Sequence, residues 1–136
     1  MRLVYVNQLF NATPATVCDA WLKPEMVKQW LFKSDDNEIT DVKIDAREGG
    51  EFSVTERTAD GDTIEHFGVF QKVECPNLLM FSLEVPKQFE GITTVTVDLQ
   101  PTKSGCELNF TQTGVSPEVT EDAWRVMLGK LARLVV

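Results

Sequence analysis

Residues 116–134, "SPEVTEDAWRVMLGKLARL", end the chain in a long helical pattern. Ser116, Pro117 and Glu118 supply an N-cap, a proline that needs no amide partner in the first turn, and a first-turn acid. Glu121 and Asp122 add negative charge near the positive end of the helix dipole. Arg125, Lys130 and Arg133 come later, where positive charge is favoured. Trp124, Met127, Leu128, Leu131, Leu134 and Val135 recur at three- and four-residue spacing, a wide apolar stripe. A stripe of that width needs a broad apolar surface to cover it, and the residues before it have a different period.

Upstream, the repeat is two. Cys106, Leu108 and Phe110 form one inward set, Val95, Val97 and Leu99 another, and Leu79, Phe81, Leu83 and Val85 a third. Phe52 and Val54 alternate with Glu51, Ser53 and Thr55, and Val42 and Ile44 alternate with Asp41, Lys43 and Asp45. Asp60-Gly61 is a hairpin signal, because both residues tolerate positive φ. A longer strand is predicted from Thr63 to Glu74, broken by Cys75-Pro76-Asn77, and Pro86 to Gly91 reads as a loop. At the N-terminus, Val4, Val6 and Phe10 share a parity. Thr13-Pro14 then caps a helix carrying Val17, Cys18, Trp21 and Leu22, and Pro24 opens a shorter one carrying Met26, Val27, Trp30 and Leu31. Strand, two helices, six strands and one long helix predict a single α+β domain over 1–136, with an antiparallel sheet packed on its last helix.

Composition narrows the function. The 136 residues are 43 % hydrophobic, ordinary for a globular domain. Between Asp35 and Glu65 there are eleven acidic and three basic residues, while the rest of the chain has ten of each. One segment therefore carries the whole net charge of −8. That sign argues against nucleic acid and against anionic membrane surfaces. No run reaches the ~18 apolar residues of a membrane span, and "MRLVYVNQLFNAT" shows no secretory signal, so a cytoplasmic location is expected. Cys18, Cys75 and Cys106 are odd in number and widely spaced, which predicts three buried thiols rather than a disulfide or a zinc site. No metal or cofactor is expected.

"DAREGGEF", residues 45–52, raises a nucleotide-binding reading and answers it. A phosphate loop places its glycines ahead of a helix, with a lysine and a hydroxyl. Gly49 and Gly50 precede a strand and lie between Glu48 and Glu51, whose carboxylates would repel phosphate. A tight turn or bulge that lets the sheet curl is the structural expectation.

In this order the segments resemble the helix-grip (START-like, or SRPBCC) superfamily, and within it the branch named after activators of the heat-shock chaperone ATPase. The carrying stretches are "VCDAWLKPEMVKQWL" (17–31), "REGGEF" (47–52), "HFGVFQKVECPNLLMFS" (66–82), "TVTVDLQP" (94–101) and "DAWRVMLGKLARL" (122–134). Lys23 and Ala123 depart from the branch, which usually has a small polar residue and a glycine there. The resemblance implies a curved antiparallel sheet, in the order β-α-α-β-β-β-β-β-β-α, wrapped around the last helix with a cavity between them. It also implies a range of roles, from ligand carrier to cyclase, hydrolase or co-chaperone module, and fold does not choose among these.

Inward parity gives the expected cavity lining: Trp30, Phe52, Val54, His66, Phe81, Leu83, Val97, Phe110, Gln112, Trp124 and Leu128. Such a wall suits a small, largely apolar molecule, with Trp30, Phe52, Phe81, Phe110 and Trp124 supplying contact area. His66 and Gln112 are the polar members and would orient a ligand or satisfy a neighbour. The parity of the 63–74 strand is ambiguous, since Phe67, Val69 and Val73 oppose Ile64, His66 and Phe70. No nucleophile–base motif is legible around Ser53, Ser82, Ser104 or Ser116, and the carboxylates from Asp35 to Glu65 read as exposed. The sequence thus points to a ligand-binding domain rather than an enzyme. A second reading uses the acidic surface to dock a chaperone or another basic protein, and a third makes the cavity an active site of cyclase or hydrolase type.

Overall fold

The protein is seen here as a computed structural model that describes residues 3–136, apart from the side chain of Val119. The elements follow the predicted order: β1 (Leu3–Phe10), α1 (Pro14–Leu22), α2 (Pro24–Trp30), β2 (Glu38–Ile44), β3 (Glu51–Arg57), β4 (Thr63–Glu74), β5 (Leu78–Leu83), β6 (Thr93–Pro101), β7 (Cys106–Thr113) and α3 (Pro117–Leu134). Among the described residues the strands form one curved antiparallel sheet in the order β1-β7-β6-β5-β4-β3-β2. The first strand pairs with the last, with Val6 opposite Phe110. This is the helix-grip α+β fold.

Local chemistry explains the boundaries. The Thr13 hydroxyl accepts from the Thr16 amide at 3.2 Å and starts α1. Lys23 ends α1 and begins α2, and the Trp30 indole N–H donates to the Ala20 carbonyl at 2.9 Å, locking the two helices together. Ser116 stands at the N-cap of α3, but its hydroxyl bonds the Glu118 carboxylate rather than a backbone amide. Trp124, Met127, Leu128, Leu131 and Val135 are buried as the stripe requires. Leu134 is not; it is 39 % exposed on the outer edge of the helix.

The glycine pair works by close approach. Gly49 has φ +83°, and its amide donates to the Phe70 carbonyl at 2.9 Å. The Phe70 amide returns a bond to the Gly50 carbonyl at 2.9 Å, so the turn is pinned to β4. A Cβ on Gly50 would lie 2.1 Å from the Asp45 carbonyl oxygen. Only glycine fits there.

The ambiguous parity of β4 also has a cause. Ile64, His66, Gly68 and Phe70 face inward, and the β4–β5 register then shifts between Phe70 and Lys72. Beyond that bulge Val73 pairs with the inward Leu79, so the strand changes which parity it buries. The parity of Ile64, His66 and Phe70 holds up to the bulge, and of the opposing set Val73 alone turns inward beyond it, while Val69 is 39 % exposed.

The cysteine expectation is corrected. Cys18 and Cys75 form a disulfide, with Cα atoms 6.1 Å apart, that ties α1 to the β4–β5 turn. Their 57-residue separation hid the pairing, which exists only because the fold lays α1 beside that turn. Cys106 alone is a free, buried thiol, and burial pushes its pKa up, away from the reactive thiolate.

Candidate functional site

An inner and an outer space are lined by the described residues of the sheet and helices, and they differ greatly in size. The inner one is a gap of about 20 Å³ bordered by Phe52, Val54 and Phe81 along with Trp21, Phe32 and Phe70. Aromatic rings fill this half of the grip. Trp124 packs on Phe110 at 4.3 Å between centroids, Trp21 meets Trp30 edge-on at 4.7 Å, and Phe52 meets Phe81 at 5.2 Å. Such offset and T-shaped pairs add to the burial of their area.

The outer space is a cavity of about 410 Å³, open to solvent. Its walls come from the 32–37 loop, β3, β4, the end of β5 with the loop that follows, Gln112, and the first half of α3. Val126, 65 % exposed, belongs to this lining, which explains a large apolar side chain at the helix surface. Of the eleven residues expected to line a cavity, His66, Leu83, Gln112 and Trp124 border this one. Phe52, Val54 and Phe81 border the small gap. Trp30, Val97, Phe110 and Leu128, fully buried, lie in the packed core and border neither space.

Two buried polar centres, Gln112 and the His66–Glu56 pair, meet the cavity, and they are built differently. Gln112, fully buried, accepts from the Trp124 indole N–H at 2.9 Å and donates to the Thr93 hydroxyl at 3.0 Å. The Thr93 hydroxyl in turn donates to the Leu83 carbonyl at 2.8 Å. Both ends of the Gln112 amide are therefore committed inside the protein, tying α3 to the sheet.

His66 is only half committed. Its Nε2 lies 2.8 Å from Glu56 Oε1, and both side chains are buried. Glu56 corrects the expectation that every carboxylate between Asp35 and Glu65 is exposed; it is 8 % exposed, while the other ten are surface residues. The cause is register. Val54 pairs with His66 and Glu56 with Ile64, so Glu56 and His66 are diagonal neighbours on the inner face. The signal was present in the sequence, since Glu56 continues the parity of Phe52 and Val54.

A second partner holds Glu56. Asn37 Nδ2 donates to Glu56 Oε2 at 2.6 Å and to the Phe32 carbonyl at 2.7 Å, while Asn37 Oδ1 accepts from the Ser34 amide at 2.8 Å. Phe32 itself sits at φ +59°, unusual for a bulky residue, and its amide approaches Met127 Sδ at 3.1 Å. Its ring lies flat on the His66 imidazole, with centroids 3.7 Å apart. Such backbone strain costs about 1–3 kcal/mol and persists only where surrounding contacts impose it. Here Asn37, Met127 and the ring stack do so. Sequence reasoning missed Phe32 and Asn37 because a loop carries no periodicity.

His66 Nδ1 is left over. Among the described residues it and the Trp21 indole nitrogen are the buried side-chain polar atoms without a hydrogen-bond partner. Burial holds the His66 pKa below its ordinary value, with the Glu56 carboxylate pulling more weakly the other way. The ring is neutral near pH 7. No group of three or more His, Cys, Asp or Glu among the described residues is placed to hold a metal ion, and no helix among them is long and apolar enough to cross a membrane.

Comparison with known proteins places the fold. Among solved structures, a protein from Chromobacterium violaceum superposes with a TM-score of 0.88 at 22 % identity, covering 99 % of this chain and 98 % of that one. A protein from Rhodobacter sphaeroides gives 0.87 at 20 %, covering 98 % and 91 %. The AHSA1-like protein from Aeromonas hydrophila gives 0.81 at 23 %, also covering 98 % and 91 %. At these identities the likeness shows the shared fold. A comparison with curated proteins returned no match. The sequence profile of one family, described as Activator of Hsp90 ATPase homolog 1-like protein, matches residues 11–135. With nearly its whole length matched, the chain belongs to that family.

Proposed function

We propose that the protein binds a small, largely apolar molecule in the cavity beside α3. The observation that carries this reading is an open space of about 410 Å³, within the usual size of small-molecule sites. Leu83, Val85, Phe89, Trp124, Val126 and Met127 give it apolar walls, and His66 brings to it a buried nitrogen without a partner. Binding of the neutral fluorescent probe N-phenyl-1-naphthylamine tests the reading. Saturable binding is expected, and Ala123→Trp, which places an indole in the lining from an exposed helix position, should weaken it about tenfold or more. Absence of saturable binding by the wild type would end this reading.

A second reading rests on the ten exposed carboxylates between Asp35 and Glu65, a surface suited to a basic partner such as the chaperone in the family's description. Replacing Asp35, Asp36, Glu48 and Glu65 by their amides should then slow association with that partner and flatten its salt dependence, because the summed surface field steers encounter. An unchanged rate would remove this role. The expected cytoplasmic location meets one opposing observation, the Cys18–Cys75 bond, since disulfides persist mainly in oxidising compartments. Thiol alkylation in intact cells reports directly which condition holds.

A further inference from the structure

The hydrogen bonds around Glu56 determine what the spare nitrogen of His66 can do. Asn37 is oriented by its neighbours: its oxygen accepts from Ser34, so its NH₂ faces Phe32 and Glu56 and can only donate. Glu56 Oε2 is therefore an acceptor. With Glu56 accepting at Oε1 as well, the hydrogen in the 2.8 Å contact belongs to His66 Nε2. A neutral imidazole with its proton on Nε2 presents a lone pair at Nδ1. That lone pair, on a side chain 2 % exposed in the cavity wall, has no donor among the described residues.

We propose that the cavity selects ligands carrying a hydroxyl or N–H donor on an apolar body, with His66 Nδ1 as the acceptor and the Asn37–Glu56 relay as the device that keeps it one. This rests on the cavity reading above and names its ligand class. The unmet acceptor is the reason for the selectivity. A ligand that supplies a donor satisfies a buried polar atom, and one that cannot leaves it unmet. Charge disfavours the acidic alternative. Glu56 and Asp122 both border the cavity, and the one lysine of its lining, Lys33, is engaged with the Ser34 and Asn37 carbonyls. A carboxylate ligand would meet repulsion without a free cation to answer it. Nδ1 is closed to water and the Phe32 ring covers one face of the imidazole, so the donor enters with a local shift of the 32–37 loop.

Three probes of one shape separate the possibilities: 2-naphthol, 2-methoxynaphthalene and 2-naphthoate, each titrated calorimetrically. The wild type should bind 2-naphthol about five- to tenfold more tightly than its methyl ether, the worth of one buried hydrogen bond, and 2-naphthoate most weakly. Glu56→Gln is the sharper arm. Asn37 can only donate, so the new amide must turn its oxygen to Asn37 and its NH₂ to His66 Nε2. The imidazole proton then moves to Nδ1, which becomes a donor, and the preference for 2-naphthol over the ether should vanish or invert. A merely structural role for Glu56 would weaken both probes equally, and that result overturns the proposal.

The tautomer can also be read without any variant. The chain has one histidine, so imidazole ¹⁵N shifts of tag-free wild type report it unambiguously, and a proton on Nδ1 would refute the inference. Equal affinity for naphthol and ether refutes it too while leaving the apolar cavity intact. If neither these probes nor N-phenyl-1-naphthylamine binds, the cavity reading itself has failed and the inference falls with it.

Discussion

Truncating Trp124 tests how α3 is held to the sheet. Its side chain is 2 % exposed, and its ring packs on Phe110 and lies 5.7 Å from Phe32 and 6.2 Å from Trp21. Removing a buried ring of this size typically costs ~3–5 kcal/mol. Trp124→Ala also takes the 2.9 Å donor from Gln112 Oε1, whose remaining partner, the Thr120 hydroxyl, is a poor 3.5 Å away. A buried acceptor left so weakly paired adds ~1–3 kcal/mol. The sum, roughly 4–8 kcal/mol, approaches the whole stability of an ordinary domain, about 5–15 kcal/mol. Trp124→Phe separates the two effects, since it keeps an aromatic ring and deletes only the donor and part of the area; it should cost about 1–3 kcal/mol. Urea unfolding followed by far-ultraviolet circular dichroism measures both variants, and a constant slope would confirm that the folded and unfolded states stay comparable. A loss below about 1 kcal/mol for Trp124→Ala would mean that α3 does not pack through this face.

The glycine turn, the disulfide and the buried histidine give three further expectations. Gly50→Val should destabilise by ~1–3 kcal/mol, because a Cβ would stand 2.1 Å from a backbone oxygen; an unperturbed midpoint would show that the turn can open without cost. Cys75→Ser should cost ~2–4 kcal/mol in non-reducing buffer by releasing a long loop in the unfolded chain, and reductant should do the same to the wild type but nothing to the variant. His66 is held neutral by burial, so as the pH falls below about 6.5 the unfolded chain takes up a proton that the folded chain refuses. Stability should therefore drop between pH 7 and 5.5, by no more than ~1.4 kcal/mol per pH unit, and His66→Gln should flatten that slope. A rise in stability over the same range would mean that pairing of an imidazolium with Glu56 outweighs burial.

Much of the fold was legible because each element carried its own period and punctuation. Strands β3, β5, β6 and β7 alternate cleanly, Thr13-Pro14 caps α1, and Asp60-Gly61 turns a hairpin with Gly61 at φ +88°. The hidden parts depend on juxtaposition. The Cys18–Cys75 bond needs α1 laid against a distant turn, and the inward parity of Glu56 does not show that the β3–β4 register sets it diagonally beside His66. Parity alone also could not separate a filled interior from an open one. Phe110 and Leu83 point inward alike, yet Phe110 is covered by the Trp124 ring and borders neither space, while Leu83 borders the open cavity.

The central claim is that the cavity beside α3 holds a ligand. Its most direct measurement is an amide ¹⁵N–¹H titration of the wild type with N-phenyl-1-naphthylamine. The account predicts saturable shifts concentrated at His66, Leu83, Gln112, Ala123 and Val126, with the acidic Ala59–Asp62 turn unmoved. Shifts that fail to saturate, or that gather on the outer face of β2 and β3 instead, would contradict it.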